Sequence, residues 1–207
     1  MQAITDTKHL TVQTLPPILV LTGEDVGQFE WLKKDILKKI GYDPSDLNYS
    51  YFDMKEASYA EVELDLVSLP FFADEKIVIL DHLLDVTTAK KRNLTDEDLK
   101  QFENYLENPS ESTRLVIFAE GKLDSKRRLV KLLKRDAQII EATTPKEQDL
   151  KRYFASQAQE LGIQFVGDSL DQLLLKSGYD FGELQKNLAL LQAYKEDGQI
   201  TLEDIKE

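Results

Sequence analysis

The feature that most constrains this chain is the alternation of short, continuous apolar runs with stretches of helical periodicity. Residues 18–21, 77–80 and 115–118 are wholly apolar. Runs of this length are typical of strands buried on both faces, whereas residues 29–40 repeat their apolar positions with the spacing of a helix. Strands that alternate with helices predict a parallel sheet covered by helices on both faces.

Two weaker signals complete the sheet. Residues 47–53 are rich in aromatic side chains, which favours a strand, and residues 138–141 supply the last strand. Capping-box spacing at residues 58–61 and 95–98 predicts the starts of two helices, and a third helix is expected from about residue 124 to 135. The sequence therefore predicts an α/β fold with a mostly parallel five-stranded sheet flanked by helices.

A second, wholly helical region is predicted to begin at residues 144–147. A threonine at the cap, a proline at the first helical position and a glutamate at the third coincide there. No strand pattern returns, and three helices are expected at residues 147–161, 168–176 and 180–194.

The predicted organisation has three parts. A polar leader covers residues 1–14, with order and disorder both left open, the α/β domain covers residues 15–142, and a small helical domain covers residues 143–207. A further helix start at Thr201 and Asp204 lies barely two turns before the last residue, so we expect the natural protein to continue.

The composition of the chain limits the kinds of catalysis, metal binding and partner that it favours. The chain has no cysteine and two histidines, which excludes thiol catalysis and leaves little material for a metal centre. Its net charge of −12 disfavours non-specific attraction to nucleic acid. The absence of a long apolar run and of a signal peptide predicts a cytoplasmic location with no membrane partner.

The turn after the first strand is where an open α/β sheet commonly binds nucleotide phosphates. Laid on the pattern G-x-x-x-x-G-K-[ST] from Gly23, the second glycine position holds Gln28, and the lysine and hydroxyl positions hold Phe29 and Glu30. The pattern G-x-G-x-x-G also fails, since the turn offers only Gly23 and Gly27. We predict a degenerate phosphate loop formed by these five residues, with no nucleotide cofactor.

Acidic residues beside the strand ends each have two interpretations. Glu24 and Asp25 are candidates for catalysis, but acids also stabilise the positive end of a helix, and that structural role is favoured. Asp81, followed by His82, has the strand-then-Asp form of a magnesium site, although an Asp that closes a strand is common in turns. We predict neither a catalytic residue nor a metal site.

The segment Leu69, Pro70, Phe71 and Phe72 lies between a helix that the proline must end and the next apolar strand. Two adjacent bulky aromatic rings in a loop do not easily share one pocket, so one of them is a candidate interface anchor. The alternative is that both rings fill the space between helix and sheet, as large aromatics commonly do.

One basic cluster stands out in this acidic chain. Its members are Lys122, Lys126, Arg127, Arg128, Lys131, Lys134 and Arg135, and the first five form the candidate contact face. Such a cluster can contact nucleic acid or an acidic partner. Basic residues late in a helix also complement its dipole, and a solvated helix face is the favoured interpretation.

Four segments together resemble the delta subunit family of the bacterial DNA polymerase III clamp loader. They are residues 16–25 at the first strand, 69–78 before the third strand, 122–131 after the fourth, and 179–188 in the helical domain. Their order and spacing carry the resemblance, which runs from about Leu15 to the end of the chain.

The resemblance implies a RecA-like, AAA+-like domain with a helical lid, in a member that has lost ATP hydrolysis. It implies a non-catalytic subunit of the polymerase holoenzyme, a nucleotidyltransferase complex. That subunit binds the ring-shaped beta sliding clamp and helps open it for loading onto primed DNA. The clamp contact of the family maps to Leu69, Phe71 and Phe72, with Pro70 between them. Gly182 stands near the lid position where ATPases often carry a nucleotide-sensing arginine.

The resemblance also implies partners. The family assembles with delta prime and gamma or tau subunits through its lid and a C-terminal collar domain, which is missing here. Primed DNA is expected as a partner only within that assembly. Two other functions stay open at this stage: a nucleotide-dependent switch with an unorthodox phosphate loop, and a replication scaffold with a different partner.

Overall fold

A computed structural model describes residues 1–195 and 197–206. The chain divides into two compact units, one spanning Gln2–Thr143 and the other beginning at Thr144.

The first unit is a parallel α/β sheet flanked by helices. Its elements are α1 (Gln2–Thr7), β1 (Ile18–Gly23), α2 (Val26–Lys39), β2 (Tyr49–Asp53), α3 (Tyr59–Val67), β3 (Lys76–Asp81), α4 (Asp96–Glu107), β4 (Thr113–Glu120), α5 (Arg128–Asp136) and β5 (Gln138–Glu141). Within residues 2–143, the sheet has five strands in the order β2-β3-β4-β1-β5, and all its pairings are parallel. The predicted fold class is confirmed.

Alternate residues of each central strand enter two separate core layers. Val20 packs in the layer covered by α3, α4 and α5, whereas Leu21 packs in the layer covered by α1 and α2. Both side chains are completely buried. The central strands are therefore apolar on both faces, which is why their sequence runs are continuous rather than alternating.

The helix starts of the first unit are largely those expected. Ser58 with Glu61, and Thr95 with Asp98, form the predicted capping boxes of α3 and α4. The predicted start of the basic helix near Asp124 is wrong, because α5 begins at Arg128. The Asp124 side chain accepts a hydrogen bond from the Lys126 N–H at 3.1 Å, a local bond that competes with helix formation.

The leader belongs to the first unit. Residues 2–7 form α1, and Ala3, Leu10 and Leu15 are buried in the core layer beneath α2. Lys39 also donates a hydrogen bond to the Thr7 carbonyl at 2.9 Å. In the structure the leader packs against the first unit, because its scattered apolar side chains have a core to enter.

The second unit packs its helices around an aromatic and leucine core. Phe154 and Phe181 lie with ring centroids 5.6 Å apart, and both are fully buried together with Leu184. In the described part of the chain, its elements are α6 (Glu147–Glu160), β6 (Gln164–Phe165), α7 (Ser169–Lys176), α8 (Phe181–Tyr194), β7 (Gln199–Ile200) and α9 (Leu202–Lys206). The three expected helices are present, and Asp204 caps the fourth by accepting from the Thr201 N–H at 2.8 Å.

Two expectations for this unit are wrong. Strand pairing does return, as the two-residue parallel pair β6–β7, which is too short for any periodicity to indicate. The predicted Thr144 cap is also absent, because α6 starts at Glu147 and its cap position is Lys146. Lys146 has the extended backbone of a cap residue but makes no side-chain cap, so Glu147 and Asp149 complement the helix dipole instead.

Candidate functional site

The turn between β1 and α2 is short and already filled by the protein's own groups. Only Glu24 and Asp25 separate the strand from the helix. The Asp25 carboxylate accepts a hydrogen bond from the Gln28 N–H at 2.8 Å, which is one of the helix N-terminal donors that a bound phosphate would need. The predicted helix-capping role of Asp25 is therefore confirmed.

The other residues of the degenerate phosphate loop support the fold. Gln28 is buried and donates from its side chain to the Thr143 carbonyl at 2.9 Å, and Phe29 is buried in the core layer beneath α2. Gly27 lies inside the first turn of α2, beside the half-exposed Glu30. Gly23 has φ +127°, and a Cβ there would lie 2.3 Å from the Ala142 carbonyl oxygen, so close packing requires glycine.

Asp81, the last residue of β3, is bound by side chains. Its carboxylate lies 2.5 Å from the Lys33 ammonium and accepts a hydrogen bond from the Tyr51 hydroxyl. Burial, followed by the bond to this carboxylate, raises the pKa of Tyr51. His82, with φ +54°, places its Nδ1 atom 2.9 Å from Asp53.

The lysine therefore supplies the positive charge that a metal ion would supply at such a strand end. Within the described residues, no group of three or more acidic or histidine side chains is arranged to hold a metal ion.

The candidate functional site lies at the opposite end of β3, beside the first residue of this strand. Residues 68–75, here called the apolar loop, join α3 to β3. Leu69 is 76% exposed, and Phe71 and Phe72 are each 79% exposed, while Pro70 is half-buried. The two aromatic rings lie 6.3 Å apart, so they contact each other rather than fill the core. The core-filling interpretation of these two residues is wrong.

Two exposed apolar side chains of α3 precede the apolar loop in the chain, and the sequence analysis missed them. Leu64 is 72% exposed and Val67 is 58% exposed, on the side of α3 that faces away from the buried Val62 and Leu66. The signal was present, because Leu64 and Val67 are three residues apart and fall outside the buried stripe. Leu64, Val67, Leu69, Phe71 and Phe72 are here called the apolar surface. Apolar residues grouped in this way are typical of interaction sites.

Both ends of the apolar loop are fixed to the sheet. The buried Lys76 donates from its ammonium group to the Asp65 carbonyl and, at 2.6 Å, to the Ser68 hydroxyl. On the exposed side, the Arg114 guanidinium binds both carboxylate oxygens of Glu75, at 2.9 and 2.6 Å, and holds the pKa of Glu75 below its usual value.

The members of the basic cluster differ in their partners. Arg127 binds Asp124 at 3.1 Å and the Asp85 carbonyl at 2.6 Å, and Arg128 binds Glu107 at 2.6 Å. Lys122, Lys126 and Lys131 are exposed and form no ion pair within the described residues. These three lysines therefore have ammonium groups that no carboxylate of the described residues neutralises.

Comparisons with known proteins fit this architecture. The fold is AAA+-like: a variant of RuvB from Thermotoga maritima matches with a TM-score of 0.56 over 91% of this chain and 59% of its own, at 10% identity. The profile of the family "DNA polymerase III, delta subunit" matches residues 19–143. The chain therefore belongs to the DNA polymerase III delta subunit family, a family of clamp-loader subunits in DNA replication.

One sequence match and one structure match, both from Bacillus subtilis, are consistent with this family. The DNA polymerase III subunit delta of strain 168 is 26% identical over 205 residues, covering 96% of this chain and 58% of the relative. The solved DNA clamp loader delta protein matches with a TM-score of 0.71 and 22% identity, over 99% of this chain and 60% of its own. The chain thus spans less than two thirds of the length of either relative. No helix in the described ranges is long and apolar enough to span a membrane.

Proposed function

We propose that this protein binds the beta sliding clamp through Leu69, Phe71 and Phe72 and helps to open the ring for loading onto primed DNA. The observation that carries the proposal is the exposure of three large apolar side chains on a loop whose two ends are fixed. Aromatic anchors that enter an apolar pocket contribute much of the binding energy of protein interfaces. Membership of a clamp-loader subunit family supports the choice of the sliding clamp as the partner.

Ring opening requires no covalent chemistry. A subunit shifts a closed ring toward the open state only by binding the open state more tightly. Apolar anchors can supply that difference if their pocket is better shaped in the open ring. We therefore assign the apolar surface the role of the ring-opening contact.

We further propose that the protein is not an ATPase. Three observations support this: the Asp25 carboxylate occupies one of the α2 N-terminal donors, the buried Phe29 stands in place of the phosphate lysine, and the Lys33 ammonium neutralises Asp81. These same observations argue against a nucleotide-dependent switch. Delta prime and gamma or tau subunits are the proposed partners in the assembled loader, which would work in the cytoplasm.

Contact with primed DNA is proposed only within that assembly. Lys122, Lys126 and Lys131 are the side chains placed for it, because Arg127 and Arg128 are bound to residues of the protein itself. Free lysines on an otherwise acidic chain can add phosphate contacts when neighbouring subunits hold the DNA.

The proposal is tested by equilibrium binding to the beta clamp of the same organism. We expect the wild-type protein to bind and Phe71→Ala/Phe72→Ala to bind about 100-fold more weakly, as is typical when two interface anchors are removed. Leu190→Ala/Tyr194→Ala is the matched control, since these residues are 67% and 73% exposed in the second unit. We expect the control pair to bind like wild type.

No binding by a folded wild-type protein would contradict the proposal and would favour a scaffold with another partner. Equal binding by the Phe71 and Phe72 variant would remove the apolar loop from the interface.

A further inference from the structure

Lys76 is an unusual residue for the start of a strand, because its whole side chain is buried. It is 5% exposed, whereas lysine is almost never buried without partners. Its ammonium group bonds to the Asp65 carbonyl and to the Ser68 hydroxyl at 2.6 Å, and lies 3.5 Å from the Asp65 carboxylate. All three acceptors belong to the end of α3 or the residue after it.

These bonds join the two ends of the apolar loop. The Asp65 carbonyl belongs to the last turn of α3 and also accepts hydrogen bonds from the Ser68 N–H at 3.3 Å and the Ser68 hydroxyl at 3.0 Å. Lys76 is at the same time the first residue of β3, and its own N–H donates to the Ser112 carbonyl at 2.9 Å. One side chain thus sets the distance between the helix before the loop and the strand after it.

The loop between these anchors has little backbone structure of its own. Within the described residues, the segment 69–75 makes no backbone-to-backbone hydrogen bond. Its conformation therefore depends on how its ends are held. Thr113, which donates to the Leu66 carbonyl at 3.2 Å, and the Glu75–Arg114 pair reinforce the same two ends.

We infer that Lys76 is a positioning residue for clamp binding, which fixes the ends of the apolar loop so that Leu69, Phe71 and Phe72 are presented in one arrangement. This inference rests on the proposed function. The hydrogen bonds of the Lys76 ammonium to Asp65 and Ser68 are here called the Lys76 latch. A loop that is ordered before binding loses less conformational entropy in the complex, so the latch raises affinity without contacting the clamp.

The chain contains a matched control for this inference. Lys33 is a second lysine in an ion pair, with its side chain 14% exposed, and its partner Asp81 is the last residue of the same strand. The two ends of β3 are about 16 Å apart at about 3.3 Å per residue. Lys33→Met and Lys76→Met therefore each remove an ion-paired ammonium group, but only Lys76→Met affects the apolar loop.

The experiment measures hydrogen exchange and clamp affinity for both variants, at a temperature where circular dichroism shows that each is folded. In Lys76→Met we expect faster exchange at residues 69–75 and about tenfold weaker clamp binding, since the loop must now be ordered on binding. In Lys33→Met we expect wild-type exchange in the loop and wild-type affinity. Lys76→Arg, which keeps the positive charge and the donors, is expected to recover part of the affinity.

Several results would overturn the inference. Equal losses of clamp affinity in both variants would mean that lower stability alone weakens binding. Unchanged exchange and affinity in Lys76→Met would mean that the loop does not need the latch. If Lys76→Met does not fold, Ser68→Ala removes one acceptor of the same ammonium group, and an unchanged affinity in this variant contradicts the inference. Failure of the wild type to bind the clamp would contradict the proposed function instead, while the exchange data would still test the latch.

Discussion

The two ends of β3 use ion-paired lysines for opposite purposes. At the carboxyl end, the Lys33 ammonium forms an ion pair with Asp81 and neutralises its carboxylate. At the amino end, Lys76 ties α3 to the sheet and leaves the aromatic rings of the adjoining loop in solvent. One strand thus has its polar groups bound internally at one end and adjoins an exposed apolar loop at the other.

The largest effect on stability is expected at the carboxyl end of β3. Lys33→Met would leave the Asp81 carboxylate buried without its cation, and breaking a buried pair from one side costs about 3 kcal/mol. Urea unfolding should show this as a lower midpoint with an unchanged slope. Lys33→Met/Asp81→Leu should regain most of the loss, because it removes both charges. A Lys33→Met variant as stable as wild type would contradict this prediction.

A smaller effect is expected at the turn before α2. Asp25→Ala removes the helix cap and should lower the free energy of unfolding by about 1 kcal/mol. Glu24→Ala is the control, because this neighbouring carboxylate is exposed and is not the cap residue. MgATP should leave the melting temperature of the wild type and of both variants unchanged. Magnesium-dependent stabilisation by ATP would show that the turn still binds nucleotide.

The smallest effect on stability is expected at the amino end of β3, and it depends on pH. Arg114 lowers the pKa of Glu75, so this pair stabilises the folded state above the ordinary pKa of 4.5 and loses that effect as the pH falls through the lowered value. Because the pair is partly exposed, Glu75→Gln should cost only about 0.5 kcal/mol at pH 7. The difference between wild type and variant should shrink below pH 4.5 in thermal unfolding. A difference that grows in acid would contradict this assignment.

The sequence predicted the elements whose burial leaves a continuous or periodic pattern of apolar residues. The three apolar runs became the central strands, and the spacing of Ser58 and Glu61 correctly placed the start of α3. Local patterns failed where a competing contact decided the outcome. The Asp124 side chain bonds locally and delays α5, and residues 2–7 form a helix that packs Ala3 into the core layer beneath α2.

The candidate site was only partly predictable for a similar reason. The sequence located the aromatic pair, but it could not decide between burial and exposure, since both suit large apolar side chains. It gave no sign of the Lys76 latch, because a lysine at a strand start is ordinarily solvated. That role depends on the Asp65 carbonyl, eleven residues earlier in the chain.

The most direct test of the central claim is hydroxyl-radical footprinting of the protein with and without the beta clamp. In the free protein, Leu69, Phe71 and Phe72 should be oxidised readily because they are exposed. Addition of the clamp should protect these three side chains and leave the exposed Leu190 and Tyr194 of the second unit unchanged. Clamp binding without protection of the apolar loop would contradict the account and would place the interface elsewhere.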